Sequence, residues 1–585
     1  MPEADTTVPG DTGPVGRSIL RALLVPAAAG LALRLAALVQ LLATPFGGVL
    51  VVDHAYYLDW ARAIAGGAIV GGDVFEMDPG YAYLLALLVR LAGESLVPMR
   101  LLSVAAGTAT IVVVGFVAWH TFELGAAMRR RVAQGAAWLC ALCPVLVYYD
   151  VQVSKTGFAI LGLAALVLVA QRARADPRPW GAAAVGFLLA LVTVFRANAL
   201  VLSPLVAAQV AARLPLRTAA ARLLLLVAGA APVFGLALAH NVLAGGQFVL
   251  LTSEGGEVFY LGTLREGHGE YLRLPFVRPH PWKEHEDFRA EARRRTGIDL
   301  DRAASSRFWW REGWAQVKSD PAGWMGLVGR RAWLLVHAFE IPDNQSLPFL
   351  SAHVGVLAWL KPFGAYLLFP LGLAGLVFLR RGEVRAFPAA MGALYLGVFL
   401  LFFVNGRFRS PVVPLFAVYA AGGVALALQA ARSVYERRVL GPYLGVLALA
   451  LVVVNLPREI DHGREEATQL HNHGIAWRTA GRRVLAEDLL ARAAAHDAEV
   501  EHSLAYALVV AEGGRVGAAI DLVRSQLGRH PGHPRATELV IELLALGGRV
   551  DEARSMLDSA RAVLAPETVR RLEGVLSRPP QWLEK

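Results

Sequence analysis

Charge is what this sequence has least of. Only 18% of its 585 residues are charged and 56% are hydrophobic, where soluble chains carry about 25% charged residues. That balance excludes a disordered scaffold and a soluble multidomain enzyme, and two cysteines exclude a disulfide framework. Cys140 and Cys143 form a CxxC inside the apolar run Val132 to Tyr149, with no second pair and no nearby histidines, and read as two packed core thiols. Lysine is scarce as well: arginine supplies all but five of the 57 basic residues. These arginines are dispersed in short loops between apolar runs and do not form a groove-sized patch, which excludes nucleic-acid binding as the reason for the net charge of +10. A cleavable signal peptide is not expected, because the first apolar run, Ile19 to Phe46, is too long and contains Arg34.

What is present is a series of apolar runs of roughly 17–25 residues, the length a helix needs to cross a bilayer. They start near positions 19, 97, 132, 156, 180, 197, 222, 354, 387, 410 and 440, predicting an all-α membrane protein with about eleven transmembrane helices. Alternate loops carry arginine triplets: Arg129/Arg130/Arg131, Arg172/Arg174/Arg178, Arg213/Arg217/Arg222, Arg380/Arg381/Arg385 and Arg432/Arg437/Arg438. By the positive-inside rule these loops and the N-terminal tail, 1–18, are cytoplasmic, in a cytoplasmic (inner) membrane. The membrane domain is then 19–456, with a first external loop around 47–96 and a large external segment around 245–353.

Residues 457–585 change character and are expected to form an external α-helical domain. Gly513-Gly514-Arg515-Val516 recurs as Gly547-Gly548-Arg549-Val550, and Gly481-Arg482-Arg483-Val484 is an earlier copy. A period near 34 with small residues (Ala486, Ala519, Ala553) at the helix crossings resembles tetratricopeptide repeats, with an ordinary helical hairpin bundle as the alternative.

Charged groups at membrane depth are costly and mark functional sites by default. Directly after the first span, Asp53-His54-Ala55-Tyr56-Tyr57-Leu58-Asp59-Trp60 predicts a short helix opening at Asp53, either as a plain N-cap or as a carboxylate placed to take a proton from an acceptor hydroxyl. Glu76 and Asp78, before Pro79 and Tyr81, are either solvated or a divalent-cation site. Lys155, Arg196, Arg407 and Arg409 lie at the same outer level and suit phosphate, with snorkelling to headgroups as the alternative. Asp150 is either a second functional acid or a salt-bridge partner of Lys155. Glu340, Asp343 and Asn344 follow an expected amphipathic helix, Trp324–Phe339, and either line an acceptor entrance or cap that helix.

Taken in order, these segments resemble the C-type glycosyltransferases of the protein O-mannosyltransferase and lipid A aminoarabinose transferase kind, that is, glycosyltransferase family 39. The residues that carry the resemblance are the acid after the first span with its Tyr-Tyr pair, the Pro79–Tyr81 turn, Phe195-Arg196-Ala197-Asn198, Gly255-Gly256-Glu257-Val258-Phe259-Tyr260, Asp320-Pro321, Glu340-Ile341-Pro342-Asp343-Asn344 and Arg407-Phe408-Arg409-Ser410-Pro411. It runs from about 19 to 430. The chain departs from the family pattern at His54, where a second acid is usual, and at Met77-Asp78, where a basic residue is common.

The resemblance implies transfer of a hexose or pentose from a polyprenyl-phosphate donor to a protein, lipid or glycan acceptor at the outer face of the membrane. Direct displacement with inversion is implied, with Asp53 as general base, His54 and Asp150 as further catalytic candidates, Lys155, Arg196, Arg407 and Arg409 on the donor phosphate, and Glu76, Asp78, Tyr81, Glu340, Asp343 and Asn344 lining the site. The donor substrate implied is a polyprenyl-phosphate sugar, a divalent cation is a candidate cofactor, and the repeats offer a surface for a protein partner. The competing classes are a transporter or lipid flippase, and a non-catalytic membrane scaffold presenting the repeat domain. Which sugar and which acceptor are not written in any motif.

Overall fold

The computed structural model describes residues 14–278, 282–433, 436–496, 499–561 and 563–577. It is all-helical; the only β feature among these residues is an isolated bridge between Phe122 and Val384. The chain divides into two compact units, residues up to 43 together with 52–457, and residues 44–51 together with 458 onward.

In the first unit seven helices are long and apolar enough to cross a membrane: Gly16–Leu42, Leu96–Thr121, Lys155–Ala175, Leu216–Gly245, Gly355–Arg380, Gly406–Arg432 and Arg437–Val454. Helices predominate because a spanning segment must satisfy its own backbone hydrogen bonds. An eighth candidate is the pair Ala126–Leu142 and Pro144–Asp150, bent by 60°. The bend falls where Pro144, lacking an N–H, begins a new helix. The expected runs starting near 180, 197 and 387 are the shorter apolar helices Gly181–Phe195, Ala197–Ala211 and Phe387–Val398, and Gly80–Ala92 is a fourth of that kind. The protein is therefore a multi-pass membrane protein whose long apolar helices number fewer than the apolar runs, because several runs are cut short by loops.

Small residues let these helices touch backbone to backbone. A Cβ on Gly186 would lie 1.8 Å from the Leu226 carbonyl oxygen, and one on Gly229 would lie 2.0 Å from that of Ala183. Cys140 and Cys143 are buried free thiols. The expected pairing of Asp150 with Lys155 does not form. Arg34, in mid-span, donates from Nε to Asp150 Oδ2 at 2.7 Å, with Nη1 on the Gly30 and Ala141 carbonyls. Both partners are buried, so the mid-membrane arginine is neutralised by the acid at the end of the bent helix.

The segment between Gly245 and Gly355 carries helices Gly255–Thr263, Glu284–Thr296, Arg302–Ser319, Pro321–Val336 and Leu347–His353. Its core is aromatic: Trp309 is fully buried against Tyr260, Phe276 and Phe288, and its indole donates to the Phe288 carbonyl at 3.2 Å. Asp320 caps Pro321–Val336 by accepting from the Gly323 amide, so the amphipathic helix begins and ends three residues earlier than the expected Trp324–Phe339. Its Trp333 donates to the Val453 carbonyl at 2.9 Å.

In the second unit consecutive helices from His462 to Leu576 pack on one another. Gly481, Gly514 and Gly548 occupy equivalent turns with φ of 74°, 81° and 76°, the left-handed conformation that explains why glycine recurs there. Ala486, Ala519 and Ala553 are fully buried at the crossings that follow. Residues 44–51 belong to this unit because the Trp477 indole donates to the Pro45 carbonyl at 2.9 Å and its ring lies against Gly48.

The Arg34–Asp150 pair generates a stability prediction. Arg34→Met leaves a buried carboxylate uncompensated and costs about 3–5 kcal/mol, and Asp150→Leu on the same background restores most of it. Thermal unfolding of the three proteins in detergent measures this; a single variant as stable as wild type would contradict it.

Candidate functional site

Asp53 does not cap its helix. The helix runs Asp53–Ala65, with Asp53 its first residue and Val52 at the N-cap with φ 50°, an unfavourable conformation for a β-branched residue. The carboxylate is thereby free of the helix end and meets Arg407, whose Nη1 lies 2.5 Å from Asp53 Oδ2. Arg407 Nε lies 2.9 Å from Asp343 Oδ2, and Asp343 Oδ1 accepts from Asn405 Nδ2 at 2.8 Å. Asn405 also caps the turn Gly406–Arg409 through the Phe408 amide, so one asparagine fixes both the arginine's backbone and its second acid.

A second pair stands beside the first. Lys155, the first residue of its helix, donates to Asp78 Oδ2 at 2.6 Å and to the Tyr57 hydroxyl at 2.8 Å, and that hydroxyl donates to the Asp78 carbonyl at 3.2 Å. Asp78 Oδ1 accepts from the Ala197 amide at 2.9 Å, which joins the loop before Pro79 to the end of Gly181–Phe195. Neighbouring Arg196 is 2% exposed. Its Nη2 donates to the Arg407 carbonyl at 3.3 Å and its guanidinium lies 5.4 Å from the Phe408 ring centre. Among the described residues it has no carboxylate partner.

Several expected site residues are elsewhere or otherwise occupied. Asp150 is paired with Arg34 and takes no part in this cluster. Arg409 is fully buried and spends its guanidinium on the Leu334, His337 and Phe339 carbonyls and on Glu340 Oε2. Both of its Nη groups are thereby occupied, and Glu340, which also accepts from the Tyr149 hydroxyl, is its counter-ion. Glu76 and Asp78 do not face a shared cation: Glu76 is paired with Arg302 and accepts from the Tyr56 hydroxyl, while Asp78 is held by Lys155. Among the described residues no three His, Cys, Asp or Glu side chains come together as metal ligands. Tyr81 is buried against Tyr57 and Phe158, with no hydrogen-bond partner for its hydroxyl among the described residues. His54 and Asn344 are buried beside the two acids of Arg407.

Electrostatics separate these acids. Burial raises the Asp53 carboxyl, but the charge and hydrogen bond of Arg407, with Lys155 and His54, outweigh it and hold the group below the usual aspartate range. Asp343 is raised by burial and by Asp53, against Arg407. Sequence reasoning missed a third group, Glu254, whose carboxyl is pushed up to about 7 by burial and by Asp78, against Lys155, His285 and Arg407. It also missed His285, 2.5 Å from Glu257 Oε2; burial lowers its imidazolium, but Glu257 outweighs that, helped by Glu254 and Glu284, and raises it to about 9. The one sequence signal was the Gly255-Gly256-Glu257 turn, whose flanking acids carry the charge.

No family model and no curated protein matches the sequence. Among solved structures, the oligosaccharyltransferase of Archaeoglobus fulgidus tethered to an acceptor peptide with the NVT sequon is similar over 78% of this chain and 57% of that one, at 13% identity and TM-score 0.41. The same enzyme with zinc and sulfate gives 14% identity and TM-score 0.42 over 77% and 55%, and with an inhibitory peptide and a dolichol-phosphate 12% and 0.39 over 78% and 58%. This chain thus spans little more than half the length of those proteins. Similarity at this level speaks to neither substrate nor mechanism.

The His285–Glu257 pair predicts a pH effect with a definite sign. A raised histidine contributes in full below its unfolded value of 6.5 and loses that contribution as the pH climbs through about 9. The gap in thermal midpoint between wild type and Glu257→Gln is therefore widest at pH 6 and closes by pH 9.5; a gap constant with pH would contradict the pairing.

Proposed function

We propose that the protein is a glycosyltransferase that moves a hexose or pentose from a polyprenyl-phosphate carrier to an acceptor at the outer face of a cytoplasmic membrane. The single observation that carries this reading is Arg196, a buried guanidinium with no carboxylate partner among the described residues, stacked on Phe408 and bonded to the backbone of Arg407. A buried charge without a counter-ion is costly, and an anion that arrives with the substrate removes the cost. A lipid phosphate is an anion delivered at the end of membrane helices, and arginine binds it in bidentate fashion.

In this reading Arg196, with Lys155 beside it, neutralises the phosphate as the bond to the anomeric carbon breaks, and a single displacement inverts that carbon. Asp53, ionised because Arg407 holds it so, fixes that guanidinium at the site. The same ion pair lowers its basicity, which departs from the general-base role the resemblance implies. The proposed acceptor is a protein, lipid or glycan, and the helices of residues 458–577 are proposed as the external surface that recruits it or a partner. The transporter reading predicts related halves and functional charges or broken helices near the bilayer midplane; the mid-span Arg34 is bonded to Asp150 and to two carbonyls.

The test uses full-length protein in nanodiscs, labelled polyprenyl-phosphate sugars and a membrane extract as acceptor source. Wild type binds and transfers one donor. Arg196→Met keeps its thermal midpoint and weakens donor binding roughly 10–100-fold, the worth of one or two charge-assisted hydrogen bonds. Asp53→Asn binds donor but transfers at least about 100-fold more slowly, and Arg409→Met loses stability first. A wild-type protein that neither binds nor transfers any donor of the panel would refute the transferase reading.

A further inference from the structure

The cluster contains more acids than the reaction above uses, and nearly all are neutralised. Asp53 and Asp343 flank Arg407, Asp78 accepts from Lys155 and the Ala197 amide, Glu76 lies on Arg302, and Glu257 lies on His285. Glu284 accepts from the Tyr271 hydroxyl. Glu254 differs from all of them. It stands at the N-cap of helix Gly255–Thr263, yet its side chain makes no capping bond, and among the described residues it has no hydrogen-bond or ion-pair partner. An unpaired, half-buried carboxylate inside a ring of paired ones has its proton-accepting capacity still to use.

Its position is fixed from both sides. On one side the Ser253 amide and hydroxyl both donate to the Phe75 carbonyl, at 3.0 and 3.3 Å, tying Glu254 to the stretch that bears Glu76 and Asp78. On the other, the Gly256 amide donates to Ser306 Oγ at 3.1 Å. The two backbones touch so closely there that a Cβ on Gly256 would lie 1.9 Å from the Ser306 carbonyl oxygen. The charged groups that face Glu254 are Asp78, Lys155, His285 and Arg407, and it in turn acts on the Tyr56 and Tyr57 hydroxyls. It therefore shares one electrostatic environment with the residues that hold Asp53 and Asp78.

We propose that Glu254 is the catalytic base that receives the acceptor's proton during sugar transfer. The assignment rests on the transferase reading above. The acceptor is a hydroxyl: its oxygen bonds to the anomeric carbon, the bond from that carbon to the phosphate oxygen breaks with its electron pair leaving on the phosphate, and the hydroxyl proton passes to the Glu254 carboxylate. The neutral carboxyl then returns its proton to water. Asp53 remains ionised on Arg407 and takes no proton. This division follows from the environments: Arg407 makes Asp53 a weak base, whereas a group that titrates near 7 both binds the proton and releases it at neutral pH.

The experiment compares full-length wild type, Glu254→Gln and Glu254→Asp in nanodiscs, measuring labelled-donor binding and kcat from pH 5.5 to 9. Wild-type kcat is expected to rise through about pH 7 and level off. Glu254→Gln is expected to bind donor within about threefold of wild type, to lose roughly 10²–10⁴ in kcat and to lose that limb of the profile, with Glu254→Asp recovering part of the rate. A Glu254→Gln protein with wild-type kcat and an unchanged limb overturns the assignment and leaves the transferase reading standing. Loss of donor binding in proportion to kcat overturns it too, since the residue would then serve the donor. Absence of transfer and of donor binding in wild type removes both.

Discussion

The guanidinium of Arg407 sits between two carboxylates, Asp53 and Asp343, and the arrangement of the candidate site depends on that bridge. The three residues come from distant parts of the chain: the helix after the first span, the stretch before Leu347–His353, and the first turn of Gly406–Arg432. No local preference brings them together. What does is the cost of burying any one of them alone, several kcal/mol per ion in a low-dielectric setting, which only mutual pairing offsets. Asn405 makes the pairing directional by holding the Arg407 turn and Asp343 at once. Asp53 is the first residue of its helix, and the preceding Val52 has a φ of 50°, unfavourable for a β-branched residue.

The same rule repeats across the membrane unit with different outcomes. Arg34 is matched by Asp150, Lys155 by Asp78, and Arg409 by Glu340 with three carbonyls; the first match fixes one helix against another and the other two fix a helix against a loop. Within the candidate site, among the described residues, Arg196 has no carboxylate partner and Glu254 no cation within ion-pair distance. A site that keeps one fixed positive group and one basic group unpaired beside a rigid, fully paired framework is preorganised for a substrate that brings a negative charge and gives up a proton.

The parts of this architecture that depend on local sequence were legible in it. Long apolar runs announce an all-helical membrane protein because hydropathy needs no tertiary information. Gly481, Gly514 and Gly548 announce their turns because a positive φ selects glycine. Pairing was not legible. Lys155 lies five residues from Asp150 yet pairs with Asp78, 77 residues away. Arg409 and Arg196 come from similar short loops, and only their neighbours pair the first with Glu340 and leave the second, among the described residues, without a carboxylate partner. Glu254 was invisible for the same reason: what raises its carboxyl is burial and Asp78, far off in the chain.

The proposed role of Arg196, receiving a lipid-borne phosphate, is tested by a cryo-electron microscopy map of the full chain in nanodiscs with a polyprenyl monophosphate, the product left after transfer. Phosphate density is expected within hydrogen-bonding distance of the Arg196 guanidinium, with the Arg407 bridge to Asp53 and Asp343 intact. Phosphate density at another site, with Arg196 still facing only Phe408 and the Arg407 carbonyl, would contradict it.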